Sequence, residues 1–257
     1  MNLDRVSIGV PGALSGDVVR DLAARVEGLG FRGLWINDTP AGDSLVALAA
    51  AAGSTTTLVL GTGVIPVDRR PANEIIRGIQ QLDASRLMIG IGSGGPRNAL
   101  SRVADAVAEL KAGTSAPVFV GALGPRMRLL AAEHADGVLF NWLTPVAARE
   151  AMRDLRRDAA SSAVRGVLYV RTIVESSARP ALETEAAAYA SYPSYAANFE
   201  RIGATALETT IDDTTFASKL EEYVDSVDEV VLRAITPTGS RDDLIRFVEK
   251  AASASGG

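Results

Sequence analysis

The side chains that most often carry chemistry are scarce in this 257-residue sequence, and their positions are informative. Cysteine is absent and histidine occurs once, as His134. That excludes a thiolate nucleophile, a disulfide framework, a cysteine-ligated metal and a clustered histidine site. The three lysines, Lys111, Lys219 and Lys250, lie outside every segment that reads as a strand, which argues against a Schiff-base aldolase. His134 falls late in the helical stretch "LLAAEHADG", a helix-end position rather than a catalytic one. Near predicted strand ends the carboxylates are Asp38 and Asp68, too few for a divalent-cation cage or an acid pair. A chain so poor in acids, bases and nucleophiles suits a reaction whose reactive group belongs to a bound cofactor.

Bare backbone is plentiful instead. In "LGTGVIPVDRRP" (60–71), Gly61 and Gly63 interrupt a strand-like run. Each costs about 0.5–1 kcal/mol relative to alanine. Without side chains they offer a flat wall for a planar ring, although a β-bulge or strand bend asks for the same glycines. Two further stretches, "GIGSGGPRNAL" and "GALGPRMRLL", each run from a strand through a small-residue loop into Gly-Pro-Arg opening a helix. Proline suits the first helical position. The free N–H groups of a helix start favour an anion, and Arg126 and Arg128 add charge beside the second loop. A plain loop-to-helix boundary reads the same way.

These residues need a scaffold. Strand-like runs at 6–10, 33–38, 57–65, 86–93, 117–123, 137–142, 166–175 and 229–235 alternate with alanine-rich helical spacing. One such helix, "DVVRDLAARVEGLG", stops at Gly30. Strict alternation implies parallel strands with right-handed crossovers. Eight units in about 250 residues is the size of a (β/α)8 TIM barrel, here a single domain over residues 1–257. A doubly wound open sheet is the structural alternative. The connection between predicted strands 7 and 8 is far too long for one helix, so a helical insertion of two or three helices is expected there. It carries "YASYPSYAANF", which holds three of the five tyrosines.

Barrel enzymes place their sites at strand C-terminal ends. Those ends hold Asn37 and Asp38; Gly61, Thr62, Gly63 and Val64; Gly92, Ser93 and Gly94; Gly121, Ala122, Leu123 and Gly124; Asn141 and Trp142; and, on the last two strands, Arg171 and Arg233. Trp142 is the large aromatic of that rim, as compatible with packing under the insertion as with contacting a ligand.

The stretches "LGTGVIPVDRRP", "SRLMIGIGSGG", "PVFVGALGPRMRLLAAEHADGVLFNWLTP" and "DEVVLRAITP" resemble, in order and along nearly the whole chain, the luciferase-like monooxygenase superfamily. More narrowly they resemble its coenzyme F420-dependent oxidoreductases. The resemblance implies a barrel, usually a homodimer, holding a deazaflavin or flavin at its C-terminal mouth and passing hydride to or from a small organic substrate. FMN-dependent monooxygenation is the alternative, and a flavin- or deazaflavin-binding carrier without turnover is a third reading. By position, Gly63-Val64 matches the family's strand-3 bulge, where many members hold a non-proline cis peptide. Gly121, Ala122, Leu123 and Gly124 match the loop that takes the cofactor phosphate, and Ser93 and Gly94 the loop beside the ring. Asn37 and Asp38 fall where some relatives place ring-contacting or catalytic polar residues. The branch acting on sugar phosphates carries a histidine on strand 2, which this sequence lacks. Arg69, Arg70, Arg97 and Arg126 would form a basic outer rim suited to the longer acidic tail of coenzyme F420.

A hydrophobic content of 47% and a charged content of 22% describe a globular core. The net charge of −5 argues against a nucleic-acid or anionic-membrane partner. No apolar run approaches the roughly 18 residues of a membrane span. The opening residues lack the sections of a signal peptide, so a cytoplasmic protein is expected.

Overall fold

A computed structural model describes residues 3–95, 97–159 and 163–255. In chain order it contains β1 (Val6–Pro11), α1 (Gly16–Gly28), β2 (Gly33–Asn37), α2 (Ser44–Ala52), β3 (Val59–Thr62), β4 (Ile65–Pro66) and α3 (Ala72–Ile79). Then follow β5 (Leu87–Gly92), α4 (Ala99–Gly113), β6 (Val118–Gly121), α5 (Pro125–His134), β7 (Gly137–Asn141), α6 (Pro145–Asp158) and β8 (Arg165–Thr172). The chain ends with α7 (Arg179–Ser191), α8 (Pro193–Ile202), α9 (Phe216–Val224), β9 (Glu229–Ala234) and α10 (Arg241–Ser255).

The strands pair in parallel in the order β3-β2-β1-β9-β8-β7-β6-β5-β4, and β3 also pairs with β5. That last pairing closes the sheet, which excludes the doubly wound alternative and makes an eight-stranded barrel. The third barrel strand differs from the single run expected over 57–65. It is two pieces, β3 and β4, separated by a cis peptide between Gly63 and Val64. Where regular pairing lapses, the Thr62 hydroxyl takes over, donating to the Gly90 carbonyl and accepting from the Gly90 N–H, both at 2.9 Å. The start of α4 also differs. Gly-Pro-Arg does not open it; the helix begins at Ala99 after Asn98 in a left-handed conformation, and Pro96 lies outside the described residues. The second Gly-Pro-Arg does open a helix, with Pro125 at the first position of α5.

Successive strand residues point to opposite faces, so one alternate set fills the barrel. Trp35, Met88, Phe119, Leu139, Val167, Tyr169 and Val231 form that interior cluster. Trp35 meets Phe119 and Tyr169 edge-on, with centroids 6.0 and 6.1 Å apart, within the favourable range for aromatic pairs. Large rings in a narrow barrel require bare backbone opposite them. A Cβ at Gly61 would overlap the Trp35 indole, and one at Gly63 would overlap the Tyr169 hydroxyl. Gly61 therefore serves the interior rather than a ligand wall, since its space is already filled. The opposite set of strand residues packs against the helices as the main core.

The N-terminal end of the barrel is sealed by Glu229, which is fully buried. Its carboxylate accepts from Ser7 Oγ at 2.7 Å, Trp35 Nε1 at 2.8 Å, Arg32 Nε at 2.8 Å and Arg165 Nη2 at 3.0 Å. Charged hydrogen bonds of this kind satisfy a buried carboxylate that would otherwise be very costly.

Candidate functional site at the barrel mouth

The strands β2, β6 and β7 are buried until their last residues, Asn37, Gly121 and Asn141, which are half-exposed. The opening therefore lies at the C-terminal ends. Asn37 donates through Nδ2 to the Gly63 carbonyl, and its Oδ1 is buried without a hydrogen-bond partner. Val64 projects over the neighbouring glycines, so that a Cβ at Gly92 or Gly121 would lie 2.7 or 2.9 Å from its methyls. Asn37, Gly63, Val64, Gly92 and Gly121 are thus brought together as one wall of the mouth.

The opposite wall is ionic. Arg171 and Arg233 are register partners on β8 and β9. The Arg171 side chain is only 4% exposed. Its Nε donates to Glu185 at 3.0 Å and its Nη1 to Asn141 Oδ1. Its guanidinium lies over Trp142 at 4.1 Å and Tyr189 at 4.7 Å, distances at which cation–π attraction is appreciable. Arg233 donates to the carbonyl of its own neighbour Ala234, and its closest carboxylate contact is Glu185 at 3.8 Å. Burial, and then repulsion from Arg171, pull the Arg233 pKa down against the attraction of Glu185. Below this pair the Tyr169 hydroxyl is buried without a partner. Burial pushes its pKa well above the ordinary value, with Arg233 and Arg171 opposing and Glu229 reinforcing the shift. The phenol therefore keeps its proton at neutral pH.

The insertion expected before the last strand is α7 and α8, with α9 returning the chain to β9. It sits on the mouth. Glu185 reaches in from α7, and from α8 the buried Asn198 donates to the Trp142 carbonyl at 2.9 Å. Arg201 donates to the Leu123 carbonyl at 3.3 Å. Trp142 is buried with φ +54° beneath Tyr189 and Phe199, with centroids 5.0 and 5.6 Å away. It is packing under the insertion rather than an open ligand surface.

The remaining candidates divide. Ser93 and Gly94 line the loop after β5, braced by Asp68, which accepts from the Gly95 N–H at 2.6 Å. Ala122, Leu123 and Gly124 lead into α5, whose start has no side-chain cap. Arg126 is exposed there. Arg128 lies over the Phe140 ring at 5.4 Å with Nε and Nη2 unpartnered; burial, then repulsion from Arg201, bring its pKa down to about 10. Asp38 is already partnered. Its side chain is 2% exposed, accepts from Ser44 N and Oγ at 3.1 and 2.9 Å, and pairs with Arg69. Arg70 pairs with Asp43 at 2.7 Å, so two of the four expected rim arginines are already neutralised. Gly61 and Thr62 lie beneath the surface. His134 is exposed at the far end of α5.

Sequence reading missed Tyr169 and Glu185. Alternation along Arg165, Val167, Tyr169 and Arg171 marks an inward face and could have found the tyrosine. No pattern singles out Glu185 among the acids of its helix. Among the described residues no group of three or more His, Cys, Asp or Glu could hold a metal, and no helix is long and apolar enough to cross a membrane.

The sequence profile of the luciferase-like monooxygenases matches this chain over residues 7–112 and 102–256. No curated protein matches it. Among solved structures, the chain is similar to a coenzyme F420-dependent tetrahydromethanopterin reductase from Methanopyrus kandleri, at 19% identity and a TM-score of 0.69, covering 97% of this chain and 98% of that one. It is similar to an F420-dependent secondary alcohol dehydrogenase in complex with an F420-acetone adduct, at 13% identity and a TM-score of 0.76, with the same coverages. A long-chain alkane monooxygenase gives 12% identity and a TM-score of 0.70 over 97% of this chain and 90% of that one. At such identities the structural likeness establishes the fold alone.

Proposed function

Since the chain belongs to the luciferase-like monooxygenase family, we propose that it is an oxidoreductase passing hydride between coenzyme F420 and a small organic substrate at the barrel mouth. The observation that carries this reading is the wall of Val64, Gly92 and Gly121 beside the buried, unpartnered Asn37 Oδ1. A flat ring with a polar edge needs both: an apolar face to lie against and an acceptor for an N–H at its rim. The uncapped start of α5, with exposed Arg126 beside it, suits a phosphate. When bound, the deazaflavin would supply the two-electron chemistry that these side chains lack.

The protein's own part is binding, orientation and shielding. Asn37 and Asn141 fix polar edges, and Gly121 through Gly124 carry the phosphate to the helix start. The α7–α8 insertion excludes water from above, and Tyr169 holds its proton at the hydroxyl oxygen below. Two of the solved structures that resemble this chain are F420-dependent enzymes. FMN-dependent monooxygenation is the second reading. It is favoured by the pairing of Arg69 with Asp38 and Arg70 with Asp43, which leaves less free basic rim for a long acidic tail. A homodimer, working in the cytoplasm, belongs to the same proposal and is checked by light scattering of the purified protein.

The test is a fluorescence titration with coenzyme F420 and, separately, with FMN. Tight binding of F420 alone supports the first reading, and FMN alone the second. Binding of neither by folded protein overturns both.

A further inference from the structure

The mouth holds more buried donors and more positive charge than the protein itself satisfies. On its β8–β9 side the full charges among the described residues are Arg171, Arg233 and Glu185, two cations against one anion. Asp38 does not alter that balance, because Arg69 already pairs with it. Arg171 donates to Glu185 and Asn141 and lies against two aromatic faces. Arg233 is different. Its side chain is 15% exposed, accessible where Arg171 is not, and the nearest carboxylate oxygen stands at 3.8 Å, beyond hydrogen-bond length. Its bond to the Ala234 carbonyl leaves most of its five N–H donors unfilled. On the neighbouring strand β8, the Tyr169 hydroxyl is a second donor with no acceptor.

Unfilled donors around an under-paired guanidinium select one ligand chemistry. A neutral or cationic molecule would leave the arginine's charge uncompensated in a partly dehydrated site, whereas a planar carboxylate matches the guanidinium fork. Glu185 is an internal carboxylate between the same two arginines, bonded to Arg171 and short of Arg233, so the place on Arg233 is left for a second one. We propose that the substrate of this protein is an organic acid whose carboxylate binds Arg233 at the barrel mouth, sharing the arginine pair with Glu185. This rests on the reading of the mouth as the reaction site, and it names the substrate class for that site. Arg233 here is a specificity-determining residue, and Glu185 sets how strongly it attracts a second carboxylate.

The test uses the purified protein without added cofactor, titrated by calorimetry with benzoate and with its neutral isostere benzamide. Benzoate is expected to bind about tenfold more tightly than benzamide. Arg233→Met should bring benzoate down to the level of benzamide with the circular-dichroism melt preserved. Glu185→Gln should instead strengthen benzoate binding several-fold, roughly threefold, because the internal competitor loses its charge; a purely structural role for Glu185 would not do this. Equal affinities in the unmodified protein, binding of neither ligand, or an Arg233→Met variant that keeps the preference would each overturn the proposal. Repeating the titration with F420 or FMN at saturation separates substrate from cofactor. Simultaneous binding supports the substrate assignment, whereas mutual exclusion gives the arginine to the cofactor and overturns it. Cofactor binding with no benzoate preference would leave the proposed function standing and this inference refuted. Benzoate selectivity without cofactor binding would refute the proposed function and, with it, the assignment of that carboxylate to a substrate.

Discussion

At the strand starts Glu229 sits between Arg32 and Arg165, and at the strand ends Glu185 sits between Arg171 and Arg233. Both barrel ends thus use one carboxylate and two arginines, and they differ in how completely the polar atoms are paired. Glu229 belongs to a barrel strand, is fully buried, and accepts bonds from Ser7, Trp35 and both arginines at 2.7–3.0 Å. Glu185 belongs to an inserted helix, is 23% exposed, and reaches one arginine at 3.0 Å and the other only at 3.8 Å. Unpartnered atoms gather at that second end: Asn37 Oδ1, Tyr169 OH and Trp142 Nε1. Charge composition therefore does not tell a structural end from a functional one. Completeness of pairing is where the two ends differ: a satisfied network rigidifies, and buried polar atoms left without partners need an explanation.

The sharpest way to break this comparison is Glu229→Gln. Removing one partner of a buried ionic network costs about 3–5 kcal/mol, because Arg32 and Arg165 keep their charges without compensation. In a barrel of this size that is a fall in Tm of roughly 10 °C, measurable by calorimetry. A loss below about 1 kcal/mol would mean that the sealed end is no more structural than the open one.

Next comes Gly61→Ala, which drives a methyl into the Trp35 indole. Overpacking of this kind costs about 1–3 kcal/mol. Its effect belongs in stability, and cofactor affinity should change by less than about twofold. Lost affinity with an intact melting temperature would return Gly61 to the ligand wall.

Gly61 also shows where sequence reasoning stops. Strand-helix alternation made the barrel legible, as did the excess length before the last strand for the insertion, and both follow from local periodicity. The partner of a given glycine does not, because Trp35 meets Gly61 only through the register that the closed sheet imposes. The partners of Asp38 were hidden for a related reason. A carboxylate at a strand end gives no sign in the sequence that the fold brings Arg69 and Ser44 against it. Parallel barrel strands are buried on both faces, so their hydrophobic runs do not separate inside from outside. On β8 only the polar ends of the alternate set, Arg165 and Arg171, give away the face that carries Tyr169, and Glu185 was hidden by lying in a helix whose seat depends on tertiary contact.

Glu185→Gln sharpens the comparison from the other side. It should lower global stability by only about 1 kcal/mol, since a part-exposed pair is screened by solvent. Asn198 and Arg201 still hold α8 to the mouth. The change should show locally, as faster hydrogen exchange in α7 with the barrel strands unaffected. A cooperative loss equal to that of Glu229→Gln would make the insertion part of the core.

The smallest effect has the opposite sign. A buried hydroxyl without a partner carries its desolvation cost for no return, about 1–3 kcal/mol in the mutational record, while phenylalanine keeps the ring and its edge contact to Trp35 at 6.1 Å. Tyr169→Phe should therefore leave the ligand-free protein as stable or raise its stability by up to about 1 kcal/mol. The same change at Ser7, whose hydroxyl bonds Glu229 at 2.7 Å, would be destabilising when made as Ser7→Ala, by about 1 kcal/mol. Two hydroxyl deletions inside one barrel, moving Tm in opposite directions, would separate the end built for stability from the end built for binding. If Tyr169→Phe destabilises as Ser7→Ala does, the tyrosine already has a partner, and the mouth is as complete as the seal.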